Sequence, residues 1–318
     1  MTTTVVCFLV TLMMTRADPD LTWRSDDVTG QEARVDVKKK QIGLRLCGPA
    51  DRDYSFNPSA PNGPNNWGRV SWCCDGFLQS PVHVTRQTAR CGEVMGSVLY
   101  STVLPVPGII YNTGLIGKYP KMSFYGRVEL TNVPGTNFRD RYVLDSLHVH
   151  FGNSRQVGSE HRVNGRFYDG ELHLVHYKDT YRSLDDAMSR EDGVAVIGLM
   201  LELVPDTSGP NWALWNMTMN MGRLLGVGSR YSRDHEVNPK WLFPMRPDFF
   251  TYRGSLTGPP CSESVRWIVM EEPVKITREM LNVYWNLPSD EGRLISDYTN
   301  VRAVYPTGNR MVQTNFFC

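Results

Sequence analysis

The chain has 318 residues, of which 41% are hydrophobic and 21% charged, and its formal net charge is +1. That size and composition suit one large globular domain or two small ones. The near-balance of charge excludes the basic footprint of a nucleic-acid binder and any strong attraction to an anionic membrane surface.

The chain opens on an apolar run of ten residues, "VVCFLVTLMM" (Val5–Met14), too short to span a bilayer comfortably. Thr15 and Ala17 follow as small residues placed for cleavage, so residues 1–17 are predicted to be a signal peptide, although no Lys or Arg precedes the run. Residues 18–50 are polar, carry the basic run Lys38–Lys40 and are expected to form a solvated arm; residues 51–318 make the domain. With 20 Pro and 27 Gly, turns are frequent, and short runs rich in Val, Tyr, Phe and Leu recur between them. Strands are predicted over Ser97–Leu104, Phe124–Leu130, Glu171–Tyr177, Val194–Leu203 and Val265–Met270, a mainly β chain with a few short helices. Asn216-Met217-Thr218 is a glycosylation sequon, meaningful only for an exported protein. The end of the chain, "QTNFFC", has no hydrophobic tail for a lipid anchor, so a secreted, extracellular protein without a membrane anchor is expected. Without Cys7, six cysteines remain (Cys47, Cys73, Cys74, Cys91, Cys261 and Cys318), and spacing alone does not choose among their pairings.

Five of the seven histidines fall within Leu147–Lys178. In a strand, residues i and i+2 share a face, about 6.5–7 Å apart. The segment "LHVHF" therefore presents His148 and His150 to one side and Leu147, Val149 and Phe151 to the other. On "GELHLVHYK", His173 shares its face with Glu171 and Val175, while His176 points away. His148, His150 and His173 can thus converge on one cation, and three neutral nitrogens suit zinc with its fourth position left for water.

The same stretch resembles the "HFHWG…GSEH…ELHLVHW" signature of the alpha-class carbonic anhydrases, in particular the secreted, extracellular type. "GPNNW" (Gly63–Trp67), "QSPV" (Gln79–Val82), "SLTGPP" (Ser255–Pro260) and "NVRAVYPTGNR" (Asn300–Arg310) extend the likeness over about residues 52–312. The resemblance implies a single domain around a large twisted, mostly antiparallel β-sheet with zinc in a conical cleft. The activity it implies is reversible hydration of carbon dioxide to bicarbonate and a proton by zinc-bound hydroxide. By motif position, His148, His150 and His173 match the zinc ligands, and Glu171 matches the carboxylate that orients a ligand imidazole. Thr257 matches the hydroxyl that accepts the hydroxide's proton, and Glu160 the carboxylate that accepts from Thr257. Val175, Val196, Leu256, Val265 and Trp267 match the apolar substrate pocket. His161 and His176 match buried structural histidines, and His83 and His235 are expected in the scaffold or on the surface. Cys74 and Cys261 match a disulfide of secreted members.

Four positions depart from the family pattern. Leu115, in "YNTGLIG", stands where the fastest members carry a proton-relaying histidine, and the nearby Lys118 is a poor relay at neutral pH. Gly258 replaces a common hydroxyl residue, Ser146 replaces a glutamine that orients the first ligand, and Phe151 replaces a tryptophan. These departures imply a competent but slower enzyme. The alternative on the same fold is a non-catalytic extracellular binding or biomineral-matrix protein. The intact ligand set argues against the first, and the lack of acidic or Gly/Asn-rich repeats against the second.

Overall fold

A computed structural model describes residues 43–50, 53–92, 97–101, 104–112, 121–124, 126–205, 208–224, 226, 229–288, 294 and 299–316. The predicted signal peptide, most of the predicted arm, Leu115, Lys118 and Cys318 lie outside the described residues.

The strands that carry the domain are β1 (Val106–Tyr111), β2 (Lys121–Phe124), β3 (Tyr142–Phe151), β4 (Gly170–Lys178), β5 (Val194–Leu203), β6 (Arg230–Val237), β7 (Phe249–Gly254) and β8 (Val265–Met270). They lie side by side in the order β6-β1-β2-β3-β4-β5-β8-β7, extended beyond β7 by Gln313–Thr314 and Arg90–Cys91. Within the run of eight, the β5–β8 pair is parallel and every other pair antiparallel. The predicted mainly β architecture and mostly antiparallel sheet are therefore present.

Alternation sorts the side chains of the central strands onto two faces. One face carries Leu147, Val149 and Phe151 from β3, Leu172 and Leu174 from β4, and Ala195, Ile197 and Leu199 from β5. They pack with Leu214, Met217 and Met221 of the helix Trp212–Met221 and with Met280, Leu281 and Tyr284 of the helix Arg278–Trp285. The other face gathers Val175, Val194, Val196, Tyr252, Val265 and Trp267 into a second cluster. Each large apolar side chain so buried contributes roughly 1.5–3 kcal/mol. Apolar cover on both faces explains why Val194–Leu203 reads as a continuous hydrophobic run.

The predicted strands over Val194–Leu203 and Val265–Met270 form with those bounds, and Glu171–Tyr177 lies within β4. Two others break. Of Ser97–Leu104, the strand among the described residues is Leu99–Tyr100; Thr102 and Val103 lie outside the described residues. Phe124–Leu130 splits between β2, ending at Phe124, and the strand Glu129–Thr131, with Gly126 in the gap. A Cβ on Gly126 would meet Val106 at 2.6 Å, so the chain turns where only glycine fits.

Residues 43–50, assigned from sequence to the solvated arm, are fastened to the domain. The Arg45 amide donates to Glu263 at 2.8 Å, the Cys47 amide donates to Ser262 Oγ at 3.0 Å, and Cys47 is disulfide-bonded to Cys73. A second disulfide joins Cys74 to Cys261 across a sequence separation of 187 residues. The polarity of residues 18–50 taken as a whole hides this anchoring, which runs through backbone amides, one cysteine and the Arg45 guanidinium, a donor to the Trp72 carbonyl at 2.7 Å.

Candidate metal centre

The histidines sit where β3 and β4 run antiparallel, with His148 opposite His173 and His150 opposite Glu171. This register brings the three imidazoles together, with ring centroids 4.5 to 5.2 Å apart. One ligand nitrogen from each lies within 4.8 Å of the other two. Ligands at 2.0–2.1 Å in a tetrahedron stand about 3.4 Å apart, so small ring adjustments close the set on a zinc ion.

Hydrogen bonds choose which nitrogen each buried ring presents. His150 Nδ1 donates to the Asn300 carbonyl at 2.6 Å, which leaves Nε2 with the lone pair. His173 Nε2 donates to Glu171 Oε1 at 2.8 Å, which leaves Nδ1 as its lone-pair atom. Burial, reinforced by His173, holds the His150 pKa well below the usual histidine value, and burial lowers His173 despite Glu171. Both rings are neutral at physiological pH, as metal ligands must be. The donor chemistry and the fixed tautomers fit zinc.

Glu171 is saturated. Oε1 accepts from His173 Nε2 and, at 2.6 Å, from His161 Nδ1; Oε2 accepts from the backbone amides of Glu160 at 2.9 Å and His161 at 2.7 Å. Burial alone would raise its pKa, but His161 and His173 outweigh burial and hold it well below the usual carboxylate range. His161, Glu171 and His173 also lie close enough to share a metal, but the facing nitrogens are spent on hydrogen bonds to this carboxylate. Gly198 stands opposite His173 on β5, and a Cβ there would lie 2.8 Å from Glu171 Oε1. The glycine makes room for the carboxylate.

Glu160 is buried beside His150, with Oε2 3.3 Å from His150 Nε2. Its Oε1 accepts from the Arg302 amide at 2.9 Å, and the side chain is hydrogen-bonded to Thr257. Burial and Glu171 push its pKa well up, against the pull of Thr257 and Arg302. A divalent cation held by the histidines would favour its ionised form.

Above the histidines a cavity of about 120 Å³ is lined by Tyr54, His148, His173, Val175, Val196, Leu256, Thr257, Gly258 and Trp267, among others. Four of the five expected pocket residues line it. Val265 does not; it is buried in the same apolar cluster as Val175, Val196 and Trp267, paired with Val194 of β5. The Trp267 ring packs 4.9 Å from His173, and its Nε1 donates to the Ser255 carbonyl at 2.9 Å. The Ser146 hydroxyl donates to Asp145 Oδ2 at 2.6 Å, so toward His148 it has only lone pairs to offer. His176 lies on the opposite face as predicted: Nδ1 bonds the Ala195 carbonyl at 3.2 Å and Nε2 the Tyr100 hydroxyl at 2.8 Å. His83 Nε2 accepts from the Gly165 amide at 3.0 Å, a scaffold role. His235 lies on β6.

Three contributors had no role from sequence. Asn300 orients His150 through its carbonyl, while its side chain accepts from the Phe151 amide at 2.7 Å and donates to the Val149 carbonyl at 3.0 Å. Arg302, buried, donates to Gln79 Oε1 and to the Ser80 carbonyl, both at 3.0 Å. Tyr54 brings its ring to the cavity. For the first two the signal was present in the quoted "NVRAVYPTGNR" and "QSPV", which meet behind the site.

Comparison with known proteins agrees with this geometry. The family model for eukaryotic-type carbonic anhydrase matches residues 62–316. Carbonic anhydrase 7 of Mus musculus is 31% identical over 264 residues, covering 80% of this chain and 95% of that protein. Carbonic anhydrase 7 of Homo sapiens is 31% identical over 258 residues with the same coverage, and carbonic anhydrase 3 of Sus scrofa is 28% identical over 257 residues, covering 80% and 96%. With its histidine triad on paired strands and a match running through nearly the whole domain, this chain belongs to the eukaryotic-type carbonic anhydrase family.

Proposed function

We propose that this protein catalyses the reversible hydration of carbon dioxide to bicarbonate and a proton, with zinc held by His148, His150 and His173. The observation that carries the proposal is the convergence of those three rings beneath an apolar cavity that also contains Thr257. Bound zinc supplies hydroxide at neutral pH by lowering the pKa of a water to about 7, the figure established for carbonic anhydrase sites in general. The chain's residues do the rest. Asn300 and Glu171 fix two imidazole tautomers, so the metal-facing nitrogens need no proton shift before binding. With its hydrogen given to Glu160, the Thr257 hydroxyl acts only as an acceptor toward the cavity, which orients a nucleophile's lone pair at the substrate. Val175, Val196, Leu256 and Trp267 form a wall suited to a weakly polar triatomic molecule and exclude competing water.

Proton export is the slow stage in this reading. Leu115 cannot carry a proton, a lysine such as Lys118 is a poor relay because lysines in general titrate near 10.4, and Gly258 offers no hydroxyl to anchor water. We further propose that residues 1–17 direct export, that residues 51–318 are the catalytic domain, and that Asn216 carries a glycan. The Cys47–Cys73 and Cys74–Cys261 disulfides suit an oxidising compartment, and Asn216 is exposed on its helix. Among the described residues no helix is long and apolar enough to cross a membrane. Stopped-flow carbon dioxide hydration by the wild type and by His173→Ala tests the proposal. The wild type should be active and the variant should lose most activity together with most metal; a fully active variant would overturn the assignment.

A further inference from the structure

A second cavity, of about 380 Å³, opens between the start of β8, the end of β7 and the turns around Gly135 and Asp192. Its walls include Arg253, Arg266 and Ser264. Arg253 and Arg266 face each other directly across the antiparallel β7–β8 pair, a position where like charges are unfavourable. Arg253 is compensated by Glu191, whose Oε1 lies 2.7 Å from its Nη1. Asp192, the other carboxylate of the cavity, is committed to Lys178 Nζ at 2.6 Å and to the Tyr181 hydroxyl at 2.7 Å. Among the described residues, the Arg266 guanidinium has no carboxylate partner and no hydrogen bond. Its guanidinium is nonetheless held in place: Gly135, at φ +71°, passes so close that a Cβ there would lie 2.7 Å from Nη2. Burial and the Arg253 charge lower the Arg266 pKa to about 10, so the group remains cationic at neutral pH. At the cavity wall, Ser264 is 1% exposed and its hydroxyl has no hydrogen-bond partner among the described residues. A buried hydroxyl without a partner and a positioned guanidinium without a counter-charge each cost stability and share one missing component.

We infer that this cavity is a binding site for a small oxyanion, a carboxylate or phosphate group held by the Arg266 fork with a hydrogen bond from Ser264. A planar guanidinium pairs two oxygens at once, and its volume lies in the range of small-ligand sites. The site is separate from the metal centre, because Arg266 points to the opposite face of β8 from Trp267.

The test titrates the zinc-loaded protein with inorganic phosphate and, separately, with acetate, following the thermal midpoint and the heat of binding. The comparison set is wild type, Arg266→Met, Arg266→Lys and Ser264→Ala. Anions that bind at the zinc centre affect all four proteins alike, so differences among them isolate the second site. The wild type should show saturable stabilisation that Arg266→Met lacks. Arg266→Lys, which keeps the charge but loses the fork, should bind on the order of tenfold more weakly. Ser264→Ala should weaken binding several-fold without altering carbon dioxide hydration. A larger response to phosphate than to acetate identifies a phosphate site, and the reverse a carboxylate site. Equal responses in wild type, Arg266→Lys and Ser264→Ala, or no response in the wild type to either anion, would overturn the inference even if Arg266→Met failed to fold.

Discussion

Replacing Glu171 with Gln removes one charge from the buried network and leaves its shape nearly unchanged. The carboxylate accepts four hydrogen bonds, two at each oxygen, and every donor is buried. An amide can accept at only one of the two positions. If its oxygen takes the imidazoles, its NH₂ group confronts the amides of Glu160 and His161, and each buried donor left without an acceptor costs about 1–3 kcal/mol. If it turns the other way, His173 must give up its Nε2 hydrogen to accept from the NH₂, moving the proton to Nδ1, the nitrogen needed by the metal. The first arrangement costs roughly 2–6 kcal/mol of fold stability, and the second is paid in zinc affinity. Removing partners of this kind typically costs 10–100-fold in affinity, carbonic anhydrase sites included, or about 1.4–2.8 kcal/mol. Urea unfolding of the metal-free protein reads the first cost, and competition with a chelating dye reads the second. Glu171→Gln should show at least one of the two losses at these magnitudes. A variant with an unchanged unfolding midpoint and unchanged zinc affinity would refute the reasoning, because it would mean that the four bonds do not fix the His173 tautomer.

Thr257→Ala should retain zinc while kcat/KM falls by roughly 10²-fold, about 2.7 kcal/mol; an unchanged value would assign the orienting role to another group. Leu115→His should raise kcat by roughly tenfold with little change in kcat/KM, and small imidazole buffers should do the same to the wild type in a saturable way; a wild-type rate already high in dilute bulky buffer would contradict this. His176 is buried with its pKa lowered to about 4, against 6.5 in an unfolded chain. The unfolded state therefore takes up a proton first, and stability falls as pH drops from about 6.5 to 4, by about 3 kcal/mol in total, a loss that His176→Phe should reduce and urea midpoints across that range should show. Replacing Cys74 and Cys261 together by Ser reopens a loop of 187 residues, for which chain entropy gives a loss of up to about 5 kcal/mol. Unfolding of that variant at an unchanged urea concentration would show that the unfolded state is not constrained by this bond.

The metal centre was legible because strand alternation is local. His148 and His150 two residues apart on β3, and His173 in phase with Glu171 on β4, carry their facing in the sequence itself. His176, three residues beyond His173, could be assigned to the other face by the same rule, and there it bonds Tyr100. The roles of the residues that hold the rings were not legible, although the quoted "NVRAVYPTGNR" and "QSPV" contain them. Asn300 acts through its main-chain carbonyl, a group every residue has, and it meets His150 across 150 positions of sequence. Arg302 and Gln79 meet across 223 positions, a contact that no period reveals. The anchoring of residues 43–50 was hidden for a related reason, since polarity marks exposure but does not register a disulfide or a backbone bond to Glu263. Val265, two positions before Trp267 and on the same face of the strand, is not among the residues that line the cavity.

The most direct test of the account is metal removal and return in a single preparation. Purified protein should contain about one zinc per chain and hydrate carbon dioxide at neutral pH. Dialysis against a strong chelator should abolish the activity, and one equivalent of zinc should restore it in the wild type but not in His148→Ala, His150→Ala or His173→Ala. Hydration that survives removal of the metal, or that zinc restores equally well in the three variants, would contradict the assignment of the reaction to this triad.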